Sequence, residues 1–458
     1  MGTVNPLNLS SLLAAFSSSQ GINVQAAVTQ ALAADAAPEV QWQNEQQTLQ
    51  TQTTDLNSIE NDVTALESAL TALGDPAGAL ASMTTASSDS SIVTATAANG
   101  ATAGDHAVVV NNLATTAAWY SAEVASPTTD LTPGTFTITV GSGTPTQITV
   151  GSGVDTLSDL ANAINGMNLG VTANVVTDSA GSRLSIVSNS SGAAANFTIT
   201  NDTTINFTQA TAGQDASLTV DGIPIDSASN TVTGAVSGVT LNLLGASPGT
   251  TVDVSIQPDT NAAQTAISNF VSAYNTVVGD VNNQYAVGAN NMEGPLAGDS
   301  TISLLQSDLL SAGAYTNGGT SGVATLADLG ISMNDDGTLT LNSATLDNAV
   351  QNNYAAVQAF MQGTSSNGFA SFLSNQMASL TNATNGAFTV DLQSISSENT
   401  DLQNQINNFQ PYLQNQQTIL TNEFNQADIA LQELPTEEAQ LNAELGYQPS
   451  SSSSTPIL

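Results

Sequence analysis

WQNEQQTLQTQTTDLNSIENDVTALESALTAL (residues 42–73) and LQNQINNFQPYLQNQQTILTNEFNQADIALQEL (residues 402–434) lie near opposite ends of the chain and carry the same pattern. In the first, Trp42, Leu49, Leu56, Val63 and Leu70 recur every seventh residue, with Ile59, Leu66 and Leu73 interleaved. In the second, Ile406, Leu413, Leu420, Ala427 and Leu434 recur the same way, with Leu402, Phe409, Phe424 and Leu431 beside them. Such spacing gathers the apolar groups on one seam of a helix. A seam left in water is unfavourable, because burying one leucine is worth about 1.5–3 kcal/mol. Each end therefore needs a partner, and the nearest candidate is the other end. Pairing them brings the ends of the chain together and projects everything between as a loop of domains. That layout suits a subunit of an assembly better than an enzyme.

Between the two seams the periodicity changes. From Met83 to about Ile256 it is two, in segments rich in Thr, Val, Ser and Gly. SSIVTATA (90–97), HAVVVNNLA (106–114), VTANVV (171–176), RLSIVS (183–188), FTIT (197–200), ASLTVDGIPI (216–225), VTLNLL (239–244) and TVDVSI (251–256) read as strands. TFTITV (135–140) and QITV (147–150) read as a hairpin. One helix interrupts them at DTLSDLANAING (155–166), where Thr156 and Asp159 form a capping box and Gly166 is a stop. Helical period returns at Ala262, with a stripe of Ile267, Phe270, Val271, Tyr274, Val277, Val278 and Val281, and continues around 300–312, 343–361 and 367–380. Pro38 should end or kink the first helix near Ala37. Pro411 should bend the last helix, which starts near Leu392, and Pro435 should kink or break it.

These signals predict an α+β, multidomain chain: a terminal α-helical coiled-coil or bundle base with two β-rich outer domains inserted. The expected divisions are a flexible N-terminal segment (1–20), an N-terminal helical leg (21–82) pairing with 392–446, and a β-rich middle domain (83–114 plus 213–257). An outer β-rich domain with one helix (115–212), a helical inner domain (258–391), a C-terminal heptad helix (392–446) and a disordered tail (447–458) complete it. Isolated polar helices are marginal, so parts of 21–80 and 392–446 are expected to be mobile in a free subunit.

At 458 residues the chain has room for about three domains. Its charge is unusual: 38 Asp and Glu against a single Lys or Arg, which is Arg183, a single His, which is His106, and a formal charge of −37. Yet charged residues are only 9% of the total, against about 25% in ordinary domains. The chain is not rich in acids; it lacks bases, and Asn, Gln, Ser, Thr and Ala stand where helix surfaces ordinarily carry Lys or Arg. Nucleic-acid binding through phosphate neutralisation is excluded on this ground, as is attraction to anionic membranes. No run approaches the roughly 20 apolar residues of a membrane span, so no membrane insertion is expected. MGTVNPLNLSSLLAAFSSSQ (1–20) lacks the basic region of a secretory signal.

Catalytic constellations are poor. The chain has no Cys, which removes thiolate nucleophiles and thiolate metal sites. His106 begins a strand-like run and reads as structural. The Gly-Ser-Gly triplets at 141–143 and 151–153 lack the later glycine of a dinucleotide fingerprint. NDDGTLTL (334–341) would place Ser332, Asn334 and Asp336 as the first calcium ligands of an EF-hand loop and Ser343 at the twelfth position. The first and last are wrong, and Asp336-Gly337 reads as a tight turn between short strands. The expectation is no enzyme, no metal and no cofactor.

Four segments together resemble the flagellar filament cap proteins, the hook-associated protein 2 family. SQGINVQAAVTQALAADAAPEVQWQNEQQTLQTQTTDLNSI (19–59) resembles that family's amino-terminal opening. TLSDLANAINGMNLGVTANVVTDSAGSRLSIVS (156–188) resembles a repeat that cap proteins share with flagellins. ASLTVDGIPIDSASNTVTGAVSGVTLNLLGASPGTTVDVSI (216–256) resembles its carboxyl-half signature, and LADLGISMNDDGTLTLNSATLDNAV (326–350) its LGI–DGTL segment. The resemblance implies a non-enzymatic ring of subunits at the distal tip of the flagellum, outside the cell. Its terminal helices would act as legs, holding emerging flagellin while it folds and inserts. It further implies export by the flagellar type III route, and contacts with flagellin, the hook–filament junction protein and an export chaperone. The seam residues Trp42, Leu49, Leu56, Ile59, Val63, Leu66, Leu70, Leu402, Ile406, Phe409, Leu413, Leu420, Phe424 and Leu431 are the expected assembly positions. The chain departs from the family in charge, since its members usually carry Lys and Arg in both terminal helices. The alternatives are another axial protein, a flagellin or junction protein, or a secreted adhesin of β domains on a helical stalk.

Like charges repel at pH 7, whereas near pH 2 ordinary carboxylates are protonated and, with so few bases, the net charge is only slightly positive. The composition therefore suits an acidic exterior. Circular dichroism should find the fold retained at about pH 2–3; loss of structure there would overturn this reading.

Overall fold

The computed structural model describes residues 23–287, 293–318, 322–363 and 367–445. The segments expected to be flexible at 1–20 and disordered at 447–458 lie outside the described residues. The chain is α+β and multidomain, with three separate hydrophobic cores among the described residues.

The first helices among the described residues are α1 (Val24–Asp35) and α2 (Ala37–Gly74). Asn23 caps α1 by accepting from the Ala26 N–H at 3.1 Å, and Pro38 sits in the first turn of α2, where its missing N–H is harmless. Strands β1 (Met83–Ser87), β2 (Val93–Ala97) and β3 (Gly104–Asn112) lead outwards. The outer segment holds β4 (Ala118–Tyr120), β5 (Gly134–Val140), β6 (Thr146–Val150), α3 (Leu157–Gly166), β7 (Val171–Thr177), β8 (Ser182–Ser188), β9 (Phe197–Thr200) and β10 (Thr208–Thr211). The return path is β11 (Ala216–Val220), β12 (Ile223–Ser227), β13 (Thr231–Val236), β14 (Val239–Leu243) and β15 (Val252–Pro258). Helices α4 (Thr260–Tyr285) and α5 (Ser300–Ala314), the hairpin β16 (Ile331–Met333) and β17 (Leu339–Leu341), then α6 (Ser343–Asn352), α7 (Tyr354–Gln362), α8 (Phe369–Thr381) and α9 (Ala387–Glu444) complete the fold.

The topology explains how two β-rich units are inserted without disturbing their supports. β15 lies between β1 and β3 in a sheet ordered β1-β15-β3-β11-β12, with Met83 opposite Pro258. The outgoing and incoming strands of the first excursion are therefore hydrogen-bonded neighbours. β3 pairs in turn with β11, Asn112 opposite Ser217, and Thr115 bridges Gln214 just beyond. The second excursion closes at its own neck. Beyond that neck, Phe136, Ile138, Leu160, Ile164, Leu184 and Phe197 form the outer core. The middle core includes Val93, Val108, Leu218, Leu241 and Val254. Strand alternation decides these sets: in β8 every second residue is buried.

Several expectations are corrected. ASLTVDGIPI is two strands, not one: Asp221 and Gly222 take positive φ of 52° and 79°, the geometry of a tight hairpin turn between β11 and β12. The segment 343–361 is two helices, interrupted at Asn353 with φ −136° and ψ 33°. The last helix starts at Ala387 and runs through both Pro411 and Pro435 to Glu444. Both prolines are exposed, so the carbonyls they leave unbonded within the helix face water and helix continuity survives.

The largest correction concerns the N-terminal seam. Leu56, Ile59, Val63, Leu66, Leu70 and Leu73 are buried in the helical core. There α2 packs against α4 and α8, which contribute Phe270, Tyr274, Val277, Phe369, Leu373 and Met377 to the same core. This half of α2 is thus a central helix of the helical body rather than part of a leg paired with 392–446. Leu66 is fully buried. Leu66→Ala should lower the unfolding free energy by about 2–5 kcal/mol, read by urea denaturation at 222 nm. Leu431→Ala, at a position 45% exposed, should leave it within about 0.5 kcal/mol.

Candidate assembly surface

The upper part of α2 and the first half of α9 run antiparallel. Glu39 accepts from Gln410 Nε2 at 3.3 Å. Gln46 Nε2 donates to the Asn399 carbonyl and to Gln403 Oε1, both at 3.3 Å. Trp42 meets Phe409 edge to face, with ring centroids 5.3 Å apart and planes at 82°. Phe409 stacks in turn on Tyr412 at 5.3 Å. α1 lies mainly along α9 and buries Ala27 and Val28. No Lys, Arg or His occurs in these helices. Carboxamides therefore make the polar contacts that ion pairs make along most paired helices.

The predicted seam residues separate into three groups. Leu56, Ile59, Val63, Leu66 and Leu70 belong to the helical core. Leu49 and Leu402 are buried in the same core, Ile406 is buried one turn further along α9, and Trp42 and Phe409 form the aromatic contact. Leu413, Leu420 and Phe424 are only half-buried, and Leu431 is exposed. Ile429, Leu434, Leu441 and Leu445 are exposed as well. The structure thus brings Trp42, Leu49, Leu402, Ile406 and Phe409 together and leaves the distal part of α9 with apolar groups in water. At 58 residues, α9 is about 85 Å long, so its distal half extends well past its partners.

Sequence reasoning missed Glu39, Gln46, Gln403 and Gln410 as pairing residues. The amide-rich flanks were visible, but nothing in an Asn- and Gln-rich helix marks which amides meet. Tyr412 was missed because it falls outside the sevenfold register.

Chemistry is sparse elsewhere. His106 Nδ1 lies 2.8 Å from Asp221 Oδ2 at the β11–β12 turn. That contact, with the Ala107 N–H bond, holds the Asp221 carboxyl below its usual range. Arg183 pairs with Glu123 at 2.7 Å and sits over the Tyr120 ring. Both basic side chains are thus occupied in structural contacts. No group of three or more His, Asp or Glu suited to a metal ion occurs among the described residues.

The described residues thus form a helical base with nested β excursions and a long helix, α9, whose distal half carries exposed apolar groups. Comparison with known proteins gives the family. Residues 20–117 match the flagellar hook-associated protein 2 N-terminus, residues 213–436 its C-terminus, and residues 135–190 the flagellin hook IN motif. The chain is 30% identical over 371 residues to the B-type flagellar hook-associated protein 2 of Pseudomonas aeruginosa, covering 74% of this chain and 77% of that one. It is 26% identical over 372 residues to the flagellar hook-associated protein 2 of Escherichia coli K12, covering 75% and 79%. The D1-D2-D3 domains of the Escherichia coli flagellar cap protein FliD superpose with a TM-score of 0.60 at 26% identity, over 75% of this chain and 99% of that one. The chain belongs to the flagellar hook-associated protein 2 family, the filament cap proteins.

If the Trp42–Phe409 contact ties α2 to α9, a double-mutant cycle of Trp42→Ala and Phe409→Ala should return a coupling of about 0.5–1.5 kcal/mol. Additive single effects would show that the two rings are neighbours without being coupled.

Proposed function

We propose that this protein caps the distal tip of a bacterial flagellar filament as a closed ring of subunits and holds exported flagellin while it folds and inserts. The role is steric confinement, without bond chemistry. The observation that carries this reading is the distal half of α9, where Ile429, Leu431, Leu434 and Leu441, with Leu445 just past its end, stand exposed. Leaving so many apolar groups in water is unfavourable for a lone chain and suits a leg that packs against neighbouring subunits or the filament. Leu413, Leu420 and Phe424 are the transition between the intramolecular contact and that leg.

In this reading the nested β domains form the plate, and the terminal helices face flagellin and the hook–filament junction protein. An export chaperone would cover the apolar leg before assembly, and the type III route would deliver the chain to the tip. A flagellin-like role fits less well, because a filament subunit polymerises into open fibres, whereas a cap must close on itself.

Electron microscopy of the purified protein should find plate-like rings of a few subunits; long fibres or monomers alone would sink the proposal. A strain lacking the gene should shed unpolymerised flagellin into the medium, and a copy truncated before Phe424 should fail to restore filaments.

A further inference from the structure

The helical body places acids at its helix–helix joints and contains no base to oppose them. From residue 23 to 82 and from 260 to 445 the sequence has no Lys, Arg or His. At the joint between α2 and α4, Asp62 and Asp55 face Asp280. The buried Gln284, on the next turn of α4, gives its Nε2–H to Asp55 Oδ2 at 3.3 Å. At the joint between α5 and α9, Asp391 faces Asp299. Asp299 Oδ1 already accepts from the N–H groups of Thr301 and Ile302 at 2.7 and 3.1 Å as the cap of α5. Asp391 Oδ2 is buried with no hydrogen-bond partner among the described residues. Gln284 and the Thr301 hydroxyl can each donate at these joints, but between two ionised carboxylates in contact there are only acceptors. One proton shared between them converts repulsion into a charge-assisted O–H to O⁻ hydrogen bond.

We propose that protons are the counter-ions of this helical body: the pairs Asp62–Asp280 and Asp299–Asp391 lock α2 and α9 onto the inner helices in mild acid and loosen them at neutral pH.

Burial first, then the Asp62 contact and the charges of Asp62 and Asp55, push the Asp280 carboxyl up to about 6. Burial, then Asp299, raises Asp391 against a smaller lowering contribution from the Thr301 hydroxyl, and burial alone raises Asp308 of α5. The other helices packed on α4 add only further acids. Asp308 lies on α5, Asp347 on α6, and Asp335 and Asp336 in the β16–β17 turn. Around Asp391, α8 carries no charged residue, and α2 presents Thr53, Thr54 and Asn57 to the adjoining stretch of α9.

For Asp280 the folded chain holds a proton that the unfolded chain, with an ordinary carboxyl near 3.9, releases. Stability therefore rises as pH falls through about 6 and is fully gained below the unfolded value. Asp89, Asp178, Asp221, Asp328 and Asp336 behave oppositely, being held low by hydrogen bonds at turns. Their stabilisation is present above the unfolded value and is lost only as pH falls below it. The window between about pH 4.5 and 7.5 thus contains the Asp280 transition and lies above those of the lowered groups. His106 lies in the middle β domain, outside the helices that a 222 nm signal follows.

The test is urea unfolding of the full chain at 222 nm, at about pH 5 and pH 7.5. The wild-type midpoint should be higher at the lower pH. Asp280→Asn and Asp391→Asn should raise the midpoint at pH 7.5 and shrink the difference between the two conditions. Glu45→Gln, on the exposed face of α2, should leave that difference as in the wild type. Equal pH differences in the wild type and both Asn variants would overturn the proposal, as would a wild-type midpoint that falls toward pH 5. Should an Asn variant fail to fold, carbon-13 carboxyl titration of Asp-labelled wild type decides: an Asp titrating near 6 is expected, and all Asp below about 5 would refute it. This concerns the isolated subunit, so its failure would leave the capping role untouched.

Discussion

The burial of Leu56 to Leu73 in a core completed mainly by segments beyond residue 260 is the constraint on which the architecture rests. A helix with this seam cannot remain in water, since each of its leucines is worth about 1.5–3 kcal/mol when covered. Its covering helices, α4 and α8, come after the whole β-rich excursion. The chain must therefore return to where it left, and it does so strand against strand, β1 beside β15. Both β domains can then be long without lengthening any unsupported loop, because each excursion closes at its own neck.

The same constraint explains what was legible in the sequence. Period-two and period-seven patterns record burial on one face, so the strands with alternating Val and Ile, the α4 stripe and the α2 seam could all be read. Patterns do not record which partner covers a face. The α2 seam looked like half of a coiled coil with α9, yet only Trp42 and Leu49 lie on that side; the remainder meets Phe270, Tyr274 and Phe369. β4 carries only three residues, and β10 is exposed throughout, so neither shows an alternation. Asp221-Gly222 was read through as strand because the flanking apolar alternation continues across it. Pro435 was overrated as a breaker because exposure of the freed carbonyl, which decides its cost, is a property of the fold.

The candidate surface was legible in outline only. The apolar positions of α9 follow from the heptads, but the division between Ile406, which is buried, and Leu431, which is not, depends on where α1 and α2 end. The lack of bases gives this surface its character. Amide contacts such as Gln46 to Gln403 and Gln410 to Glu39 are short-ranged and only weakly dependent on salt. Pairing through them leaves the acids of the same helices unneutralised, which is why proton uptake is the electrostatic relief open to the helical body.

The necks have a consequence for how such a molecule can diversify. Asn112 and Ser217 are cross-strand partners, and Thr115 bridges Gln214, so the outermost segment begins and ends about 5 Å apart. Its core shares no residue with the other two. The neck works as a socket: the outermost module is held by this paired strand junction and by a few contacts beside it, such as Ser191 Oγ donating to the Ala228 carbonyl at 2.7 Å, so a change of its size or shape is confined to the far side of the junction.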